Sequence, residues 1–159
     1  MIQLTLITVG TLKEEYLKDA ANEYKKRISQ FAKIDDVNLK ECAIKNEDDK
    51  SEIARALDTE AEKILAAIPE GAYKIALCVE GRQYDSPELA RVLSEASART
   101  GRLALIIGSS HGLSDKVKNA ADLKLSVSKM TFPHQLMRVI LLEGVYRCFT
   151  ITAGKRYHK

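Results

Sequence analysis

The sequence predicts an α/β protein that consists of a parallel sheet with helices on both faces. Short apolar segments alternate with longer amphipathic ones along the chain, in the order strand, helix, repeated. This alternation is typical of parallel sheets, because each crossover to the next parallel strand needs a connection that packs on the sheet. No linker, repeat or low-complexity segment interrupts the pattern. We therefore expect one domain that spans residues 1–159.

The first half of the chain is predicted to hold two strands and two helices. Residues 2–9 form an apolar strand, and residues 11–14 match a capping box at the start of a helix. A second strand is expected at residues 37–43, where apolar and polar side chains alternate. Ser51 then begins a helix that ends before Pro69. The apolar face of the first helix is expected to comprise Tyr16, Leu17, Ala20, Ala21, Tyr24 and Ile28.

The second half of the chain is predicted to add three strands and three helices. The strands are expected at residues 73–79, 103–107 and 123–127. Residues 86–88, Ser-Pro-Glu, have the order of cap, proline and acid that favours the start of a helix. A short helix is expected to follow residues 114–115.

The last helix and the loop before it are the most distinctive part of the chain. A small polar loop leads into Pro133, and proline is favourable in the first turn of a helix because its missing N–H would be unpaired there. The helix is expected to run to about Phe149. His134 lies in its first turn, where free N–H groups and the positive end of the helix dipole attract electron-rich groups. A histidine at this position can donate, accept or shuttle a proton near neutral pH.

The composition is that of an ordinary globular protein, but the charge is unevenly distributed. The chain has 159 residues, of which 45% are hydrophobic and 30% charged, and its net charge is +3. Residues 129–159 carry six basic side chains and one acidic one, whereas the preceding part carries 19 basic and 21 acidic ones. The basic excess at the end of the chain indicates either a solvated tail or a surface that contacts phosphates.

The three cysteines, Cys42, Cys78 and Cys148, are widely spaced and form no C-x-x-C motif. They suggest neither a zinc site nor a disulfide framework, so we expect reduced thiols in a cytoplasmic protein. The apolar N-terminus lacks the basic region and the cleavage site of a signal peptide, and no apolar run is long enough to span a bilayer. We expect neither a bound metal nor a membrane contact.

Small residues follow the expected carboxyl ends of four strands, at Gly10, Gly81, Gly108 and Ser128. In open parallel sheets, ligands bind outside the carboxyl ends of the strands. Glycine there permits close approach between a ligand and the backbone. Each glycine alone is equally compatible with a plain turn. The prediction of a ligand site therefore depends on the occurrence of small residues at all four strand ends.

Residues 108–112, Gly-Ser-Ser-His-Gly, allow two interpretations. They fit the G-x-S-x-G nucleophile elbow of α/β hydrolases, with Ser110 as the nucleophile, Asp115 or Asp122 as the acid and His134 or His158 as the base. The chain is short for such a hydrolase, and no second oxyanion segment precedes the motif. The loop can also cradle a ligand through backbone N–H groups, although neither a P-loop lysine nor a G-x-G-x-x-G motif is present. His111 and the other two histidines lack the spacing of a metal site.

Several segments form a specific combination. The sequence KMTFPHQLMRV at residues 129–139 is followed by Glu143, by Tyr146 and Arg147, and by the closing YHK at residues 157–159. Further matching positions are Val9, Gly10, Tyr24, residues 106–108, Gly112 and Leu113. Together these segments resemble the ribosomal RNA large-subunit methyltransferase H family. The resemblance covers essentially the whole chain at the same length.

The resemblance implies a SPOUT-class enzyme with a C-terminal trefoil knot, which is a rare exception to the rule that chains do not thread loops. It implies methylation of N3 of a pseudouridine in the 23S rRNA of the assembled ribosome, with S-adenosylmethionine as the methyl donor. It also implies a homodimer with the cofactor pocket at the interface. Periodicity and composition alone predict none of these properties.

Matched motif by motif, the resemblance implies contacts to S-adenosylmethionine at strand ends and in the loop before the last helix. These residues are Leu77, Gly108, Val127, Ser128, Lys129, Met130, Thr131 and Phe132. The family usually has a second glycine where this chain has Ser109. A positive φ at Ser109 would cost about 1 kcal/mol, so we expect a local adjustment of the loop.

His134 is the candidate base that takes or positions the proton of N3. Arg138, one turn later on the same face, is the candidate that stabilises negative charge on the ring carbonyl. Its alternative role is an ion pair with an acid such as Glu143 of a partner subunit. The candidates for RNA contact are the tail residues Lys155, Arg156, Tyr157, His158 and Lys159. A pure RNA-binding module with the same basic tail is the rival interpretation.

Overall fold

The computed structural model describes residues 1–157, in which five strands alternate with five helices. The strands are β1 (Ile2–Val9), β2 (Ala32–Leu39), β3 (Tyr73–Arg82), β4 (Arg102–Ile107) and β5 (Leu123–Leu125). The helices are α1 (Glu15–Ile28), α2 (Lys50–Ala67), α3 (Ser86–Thr100), α4 (Asp115–Ala120) and α5 (His134–Thr152).

The strands form one sheet in the order β2-β1-β4-β3-β5, and every neighbouring pair is parallel. Helices α1, α3 and α5 pack on the first face of the sheet and form one hydrophobic core with it. Helices α2 and α4 pack on the other face and form a second core. Leu6 faces the first core and its neighbour Ile7 faces the second, because successive side chains of a strand point to opposite faces. The predicted parallel sheet with helices on both faces is confirmed.

Helix α5 runs from the carboxyl edge of the sheet to the amino edge. It begins at His134 and contains 19 residues, which makes it about 28 Å long. Just beyond its end, Nζ of Lys155 lies 4.6 Å from the ring centre of Phe31, which directly precedes β2 at the amino edge. The two ends of α5 therefore lie at opposite edges of the sheet.

Two elements in the first half of the chain differ from the sequence prediction. Strand β2 begins at Ala32 instead of residue 37, because it pairs with β1 along its whole length, from Ile2 opposite Ala32 to Val9 opposite Leu39. The predicted capping box at residues 11–14 is wrong. Helix α1 begins at Glu15, and the N–H of Lys13 donates instead to Oε1 of Gln135 in α5, 3.0 Å away. A contact with a distant helix replaces the local cap.

Smaller differences concern the core face of α1 and the starts of two later helices. Tyr16 was predicted to face the core but is 68% exposed. The cap of α3 is Asp85 instead of Ser86, and it forms a capping box with Glu88. Pro133 occupies the N-cap of α5 instead of its first helical position. Strand β5 ends at Leu125, so the loop before α5 begins two residues earlier than expected.

Among the helices of the described chain, none combines the length and the apolar character needed to cross a bilayer.

Candidate active site at the carboxyl edge of the sheet

A cavity of about 340 Å³ opens at the carboxyl edge of the sheet, and we refer to it as the larger cavity. Its wall comes from the end of β3, the loop after β4, the loop between β5 and α5, and the first turn of α5. Its apolar lining consists of Leu77, Ile107, Leu113, Met130, Phe132 and Met137. The cavity therefore lies where parallel sheets bind their ligands.

Strand β3 widens this edge by an interruption in its pairing with β5. Both Leu77 and Arg82 pair with Leu125, so residues 78–81 leave the ladder. The side of the cavity formed by this excursion consists of Cys78, Val79 and Glu80. Gly81 brings the chain back against β5, where an added Cβ would lie 2.7 Å from backbone atoms of that strand. The excursion therefore requires glycine at its return point.

The loop after β4 closes on itself at the floor of the cavity. A Cβ added to Gly108 would lie 2.2 Å from the carbonyl oxygen of Gly112, so only glycine fits at residue 108. Ser109 and Gly112 form an antiparallel bridge, and Gly112 has the positive φ of the loop, 85°. Ser109 is buried and its φ is not positive, so the serine is accommodated without backbone strain.

The loop between β5 and α5 is stabilised by its own hydrogen bonds. The hydroxyl of Ser126 donates to the carbonyl oxygen of Ser128, and the N–H of Met130 donates to the hydroxyl of Ser128. Val127 and Met130 line the cavity although they are 40% and 68% exposed. An ordered loop thus presents apolar side chains to the open part of the cavity.

His134 lines the larger cavity from the first turn of α5. Its pKa is lowered below the ordinary histidine value, first by burial and then by the positive charge of Arg138. The carboxylate of Glu41 acts in the opposite direction. The imidazole is therefore neutral near pH 7 and able to accept a proton.

Arg138 lies one turn beyond His134 but does not line the larger cavity. Its Nη2 donates to the carbonyl oxygens of Val9 at 2.6 Å and Gly10 at 2.8 Å. The side chain is 4% exposed, and burial is the main cause that lowers its pKa. It lines a second cavity of about 280 Å³ between α1, β1, β2 and α5. Within the chain, Glu143 pairs with Arg147.

The structure brings together seven of the eight residues predicted to contact the cofactor. Lys129 is the exception and does not line the larger cavity, whose lining includes Leu77, Gly108, Val127, Ser128, Met130, Thr131 and Phe132. These residues come from three separate strand ends. Their convergence follows from the sheet order, which places β5 and β4 on either side of β3.

The described part of the tail passes the amino edge of the sheet at Lys155 and then turns back along α5. The ring of Tyr157 packs edge-on against Tyr146 at 4.8 Å, and its hydroxyl lies 3.3 Å from a carboxylate oxygen of Glu143. Nζ of Lys155 donates to the side-chain oxygen of Gln30 at 3.3 Å, and Arg156 is exposed. The remaining predicted RNA contacts, His158 and Lys159, lie outside the described residues.

Sequence reasoning missed two acidic groups near the site. Glu60 of α2 is 4% exposed, accepts a hydrogen bond from the N–H of Cys42 at 2.8 Å, and has a pKa raised by burial. Glu80 pairs with Lys118 at 2.5 Å on the lining of the larger cavity, and this bond holds the pKa of Glu80 below its usual range. In the sequence, both glutamates resemble ordinary surface charges, so no signal distinguishes them.

Two alternatives from the sequence receive no support. Ser110, His111 and His134 all line the larger cavity, but neither candidate acid of a hydrolase does. Asp122 instead binds the N–H and the ammonium group of Lys74. Within residues 1–157, no group of three or more histidine, cysteine or acidic side chains could hold a metal ion.

Comparison with known proteins gives relatives along the whole chain. The chain is 48% identical to a protein from Clostridium novyi, over 99% of this chain and 100% of the relative. It is 43% identical to proteins from Caldicellulosiruptor saccharolyticus, over 98% and 99% of the two chains, and from Streptococcus pneumoniae, over 99% and 100%. All three relatives are named ribosomal RNA large subunit methyltransferase H.

A solved structure of a protein from Neisseria gonorrhoeae, described as of the methylase family, has the same fold. The TM-score is 0.50 at 14% identity, over 98% of this chain and 85% of that one. A family model described as "Predicted SPOUT methyltransferase" matches residues 2–158. The resemblance found in the sequence is confirmed, and the chain belongs to the SPOUT methyltransferases, in the family of ribosomal RNA large subunit methyltransferase H.

Proposed function

We propose that this methyltransferase transfers a methyl group from S-adenosylmethionine to N3 of a pseudouridine in the 23S rRNA of the assembled ribosome. The observation that carries the proposal is the larger cavity, in which loops from three strand ends meet His134. The names of the relatives support rRNA as the substrate. The methyl donor, S-adenosylmethionine, and the modified base, a pseudouridine, are parts of the proposal that go beyond those names.

The larger cavity fits the proposed cofactor in volume and in chemistry. Its volume of about 340 Å³ lies in the range of small-molecule sites. Leu77, Met130 and Phe132 provide an apolar wall for an adenosine, and the close turn at Gly108 exposes backbone to the ligand. When bound, S-adenosylmethionine supplies an electrophilic methyl group on a sulfonium sulfur.

The contribution of the chain is orientation and proton transfer. Methyl transfer is an in-line displacement, so the acceptor nitrogen must be held on the line of the breaking bond. We propose that neutral His134 takes the N3 proton and that the loop at residues 126–132 orients the ring. The predicted role of Arg138, charge stabilisation on the ring carbonyl, stays a prediction. It requires the guanidinium to leave the carbonyl oxygens of Val9 and Gly10.

The distance between the tail and the cavity supports a homodimer. Lys155 lies at the amino edge of the sheet, about 28 Å along α5 from His134. None of the tail residues up to Tyr157 lines the larger cavity of its own chain, so we propose that the tail approaches the acceptor ring at the cavity of another copy. We propose that Lys155, Arg156, Tyr157, His158 and Lys159 contact the RNA in this way. A single knotted domain over residues 1–159 and a cytoplasmic location complete the proposal.

The test is transfer of tritium from labelled S-adenosylmethionine to ribosomes, with the modified base located by mass spectrometry. We expect label on one pseudouridine of intact ribosomes and much less label on naked rRNA. The variant His134→Ala is the matched control for the chemistry. Label on another base, or equal labelling of naked rRNA, would contradict the proposed substrate. Calorimetry with S-adenosylmethionine separates the rival RNA-binding module, which predicts no heat of binding.

A further inference from the structure

The proposed methyl transfer leaves the second cavity itself without a role. It has a volume of about 280 Å³ and opens between α1 and α5 beside the carboxyl ends of β1 and β2. Its polar lining includes Thr8, Thr11, Asn22 and Asn38, above an apolar base of Leu6, Leu12, Ala21 and Leu142. Hydrogen-bonding groups thus surround a space that residues 1–157 leave open.

The guanidinium of Arg138 lies in the wall of this second cavity with part of its hydrogen-bonding capacity unused. The side chain is 4% exposed, and both of its hydrogen bonds within the described chain leave from Nη2. Its Nε is buried without any hydrogen-bond partner among residues 1–157. A buried cation with an unpaired donor is costly, so a negative charge placed in the second cavity would stabilise the guanidinium.

The charge of the second cavity favours the binding of an anion. Three cationic side chains and one acidic side chain line it, namely Lys18, Lys25, Arg138 and Asp36. Asp36 is paired with Lys25, and Lys18 is paired with exposed Glu15 at the surface. Asp36 and then Glu41 partly offset the charge of Arg138, and of these two acids Glu41 lies over Gly10 outside the lining.

The two cavities are neighbours along α5. His134 lines the larger cavity and Arg138 lines the second one, and the two residues are four positions apart, a rise of about 6 Å. A flexible polyanion that crosses the first turns of α5 can therefore reach both cavities at once. An isolated nucleobase or a free ion would occupy only one of them.

We propose that the second cavity is a phosphate subsite, in which Arg138 and Lys18 bind one backbone phosphate of the RNA whose acceptor base enters the larger cavity. This inference rests on the proposed function, because it takes the RNA substrate from there. Arg138 is a positioning residue in this assignment. The chemistry is that of arginine with a phosphate oxygen, a charge-assisted hydrogen bond.

The test observes the Nε–H resonances of arginine in the ¹⁵N-labelled full chain. Inorganic phosphate is titrated first, with sodium chloride at equal ionic strength as the control. A short single-stranded RNA follows, alongside the same sequence with uncharged methylphosphonate linkages. We expect the Arg138 signal to shift with phosphate and with the charged RNA only. The signal of Arg147, which is already paired with Glu143, should remain unchanged.

Two matched variants locate the site. Asn22→Asp adds a negative charge to the lining of the second cavity, and Asn119→Asp makes the same change at an exposed position of α4, outside both cavities. We expect Asn22→Asp to weaken phosphate binding about tenfold and Asn119→Asp to leave it unchanged. Circular dichroism confirms that both variants are folded.

Each outcome either supports or overturns the subsite. A shift of Arg138 with phosphate but not with charged RNA overturns RNA as the source of the anion. Equal shifts with the charged and the uncharged RNA overturn phosphate recognition, and the absence of any shift overturns the subsite. Wild-type protein that binds phosphate but transfers no methyl group to ribosomes contradicts only the proposed function. Protein that methylates ribosomes without a shift at Arg138 contradicts only the subsite.

Discussion

Nη2 of Arg138 lies 2.6 Å from the carbonyl oxygen of Val9, 129 positions earlier in the chain. The same atom donates to the next carbonyl, that of Gly10. This contact ties the second turn of α5 to the carboxyl end of β1. Because His134 lies one turn before Arg138, the contact also fixes the height of the candidate base above the sheet.

The first prediction concerns the stability of this contact. Arg138→Met keeps the unbranched stem of the side chain out to the position of Nε but leaves the carbonyl oxygens of Val9 and Gly10 without their donor. We expect it to reduce the free energy of unfolding by about 2–3 kcal/mol, measured by urea denaturation. Arg147→Met is the control on the same helix, since it removes a partly exposed pair and should cost about 0–1 kcal/mol. Equal losses in the two variants would show that the contact contributes no special stability.

The second prediction concerns the pH dependence of methyl transfer. The lowered pKa of His134 means that the imidazole remains neutral down to a pH below the ordinary histidine value of about 6.5. The single-turnover rate should therefore rise with pH as the imidazole loses its proton. The midpoint of this rise should lie below the ordinary histidine pKa of about 6.5. His134→Gln should lower the rate by about 10²- to 10⁴-fold and remove the inflection. An unchanged profile in His134→Gln would exclude the residue as the base.

The third prediction concerns the turn at the floor of the larger cavity. Gly108→Ala places a Cβ 2.2 Å from the carbonyl oxygen of Gly112, so the turn must open. We expect a cost of about 1–3 kcal/mol, measured by thermal unfolding, together with loss of heat in calorimetry with S-adenosylmethionine. Gly144→Ala is the control. Gly144 lies inside α5, and a Cβ added there would meet no atom of the described chain within 4 Å apart from the nearby backbone of the helix itself. It should stabilise the chain by about 0.5–1 kcal/mol.

The fourth prediction concerns buried Glu60. Its pKa is higher in the folded chain than in the unfolded one, because burial disfavours the carboxylate. The folded chain therefore tolerates the protonated carboxyl better than the carboxylate. The contribution of the protonated carboxyl to stability is fully present below the unfolded pKa of about 4.3, and it is lost as the pH rises through the folded pKa. Glu60→Gln keeps an oxygen that can accept from the N–H of Cys42.

Thermal unfolding of the wild type and of Glu60→Gln between pH 4 and pH 8 measures this effect. We expect the difference in melting temperature to favour the variant increasingly as the pH rises. A difference that is constant with pH would mean that Glu60 does not titrate differently in the folded chain.

The sequence predicted those parts of the fold that depend on local signals. The apolar run at residues 2–9 agrees with β1, and the short helix expected at residues 114–115 and beyond agrees with α4 to within one residue. The capping box at residues 11–14 failed because the N–H of Lys13 bonds to Gln135, a partner that only the folded chain brings near. Strand β2 was displaced for the same kind of reason, since its limits follow those of β1.

The site shows the same division between local signal and tertiary placement. The motif that begins at Lys129 marked a loop that borders the larger cavity, but which of its side chains line the cavity depends on how the loop folds. The spacing of His134 and Arg138 correctly placed both on one side of α5. It could not reveal that this side borders two cavities, because that depends on where β1 ends beneath the helix.

The excursion of β3 allows the size of the larger cavity to change without a change in the strand pairing of the sheet. Leu77 and Arg82, at the two ends of the excursion, both pair with Leu125. The pairing of β3 with β5 therefore does not depend on the number of residues between Leu77 and Arg82. Insertions or deletions at residues 78–81 would therefore enlarge or narrow the mouth of the cavity while leaving the strand register intact. This short segment is the natural place to re-engineer the protein for bulkier analogues of its methyl donor.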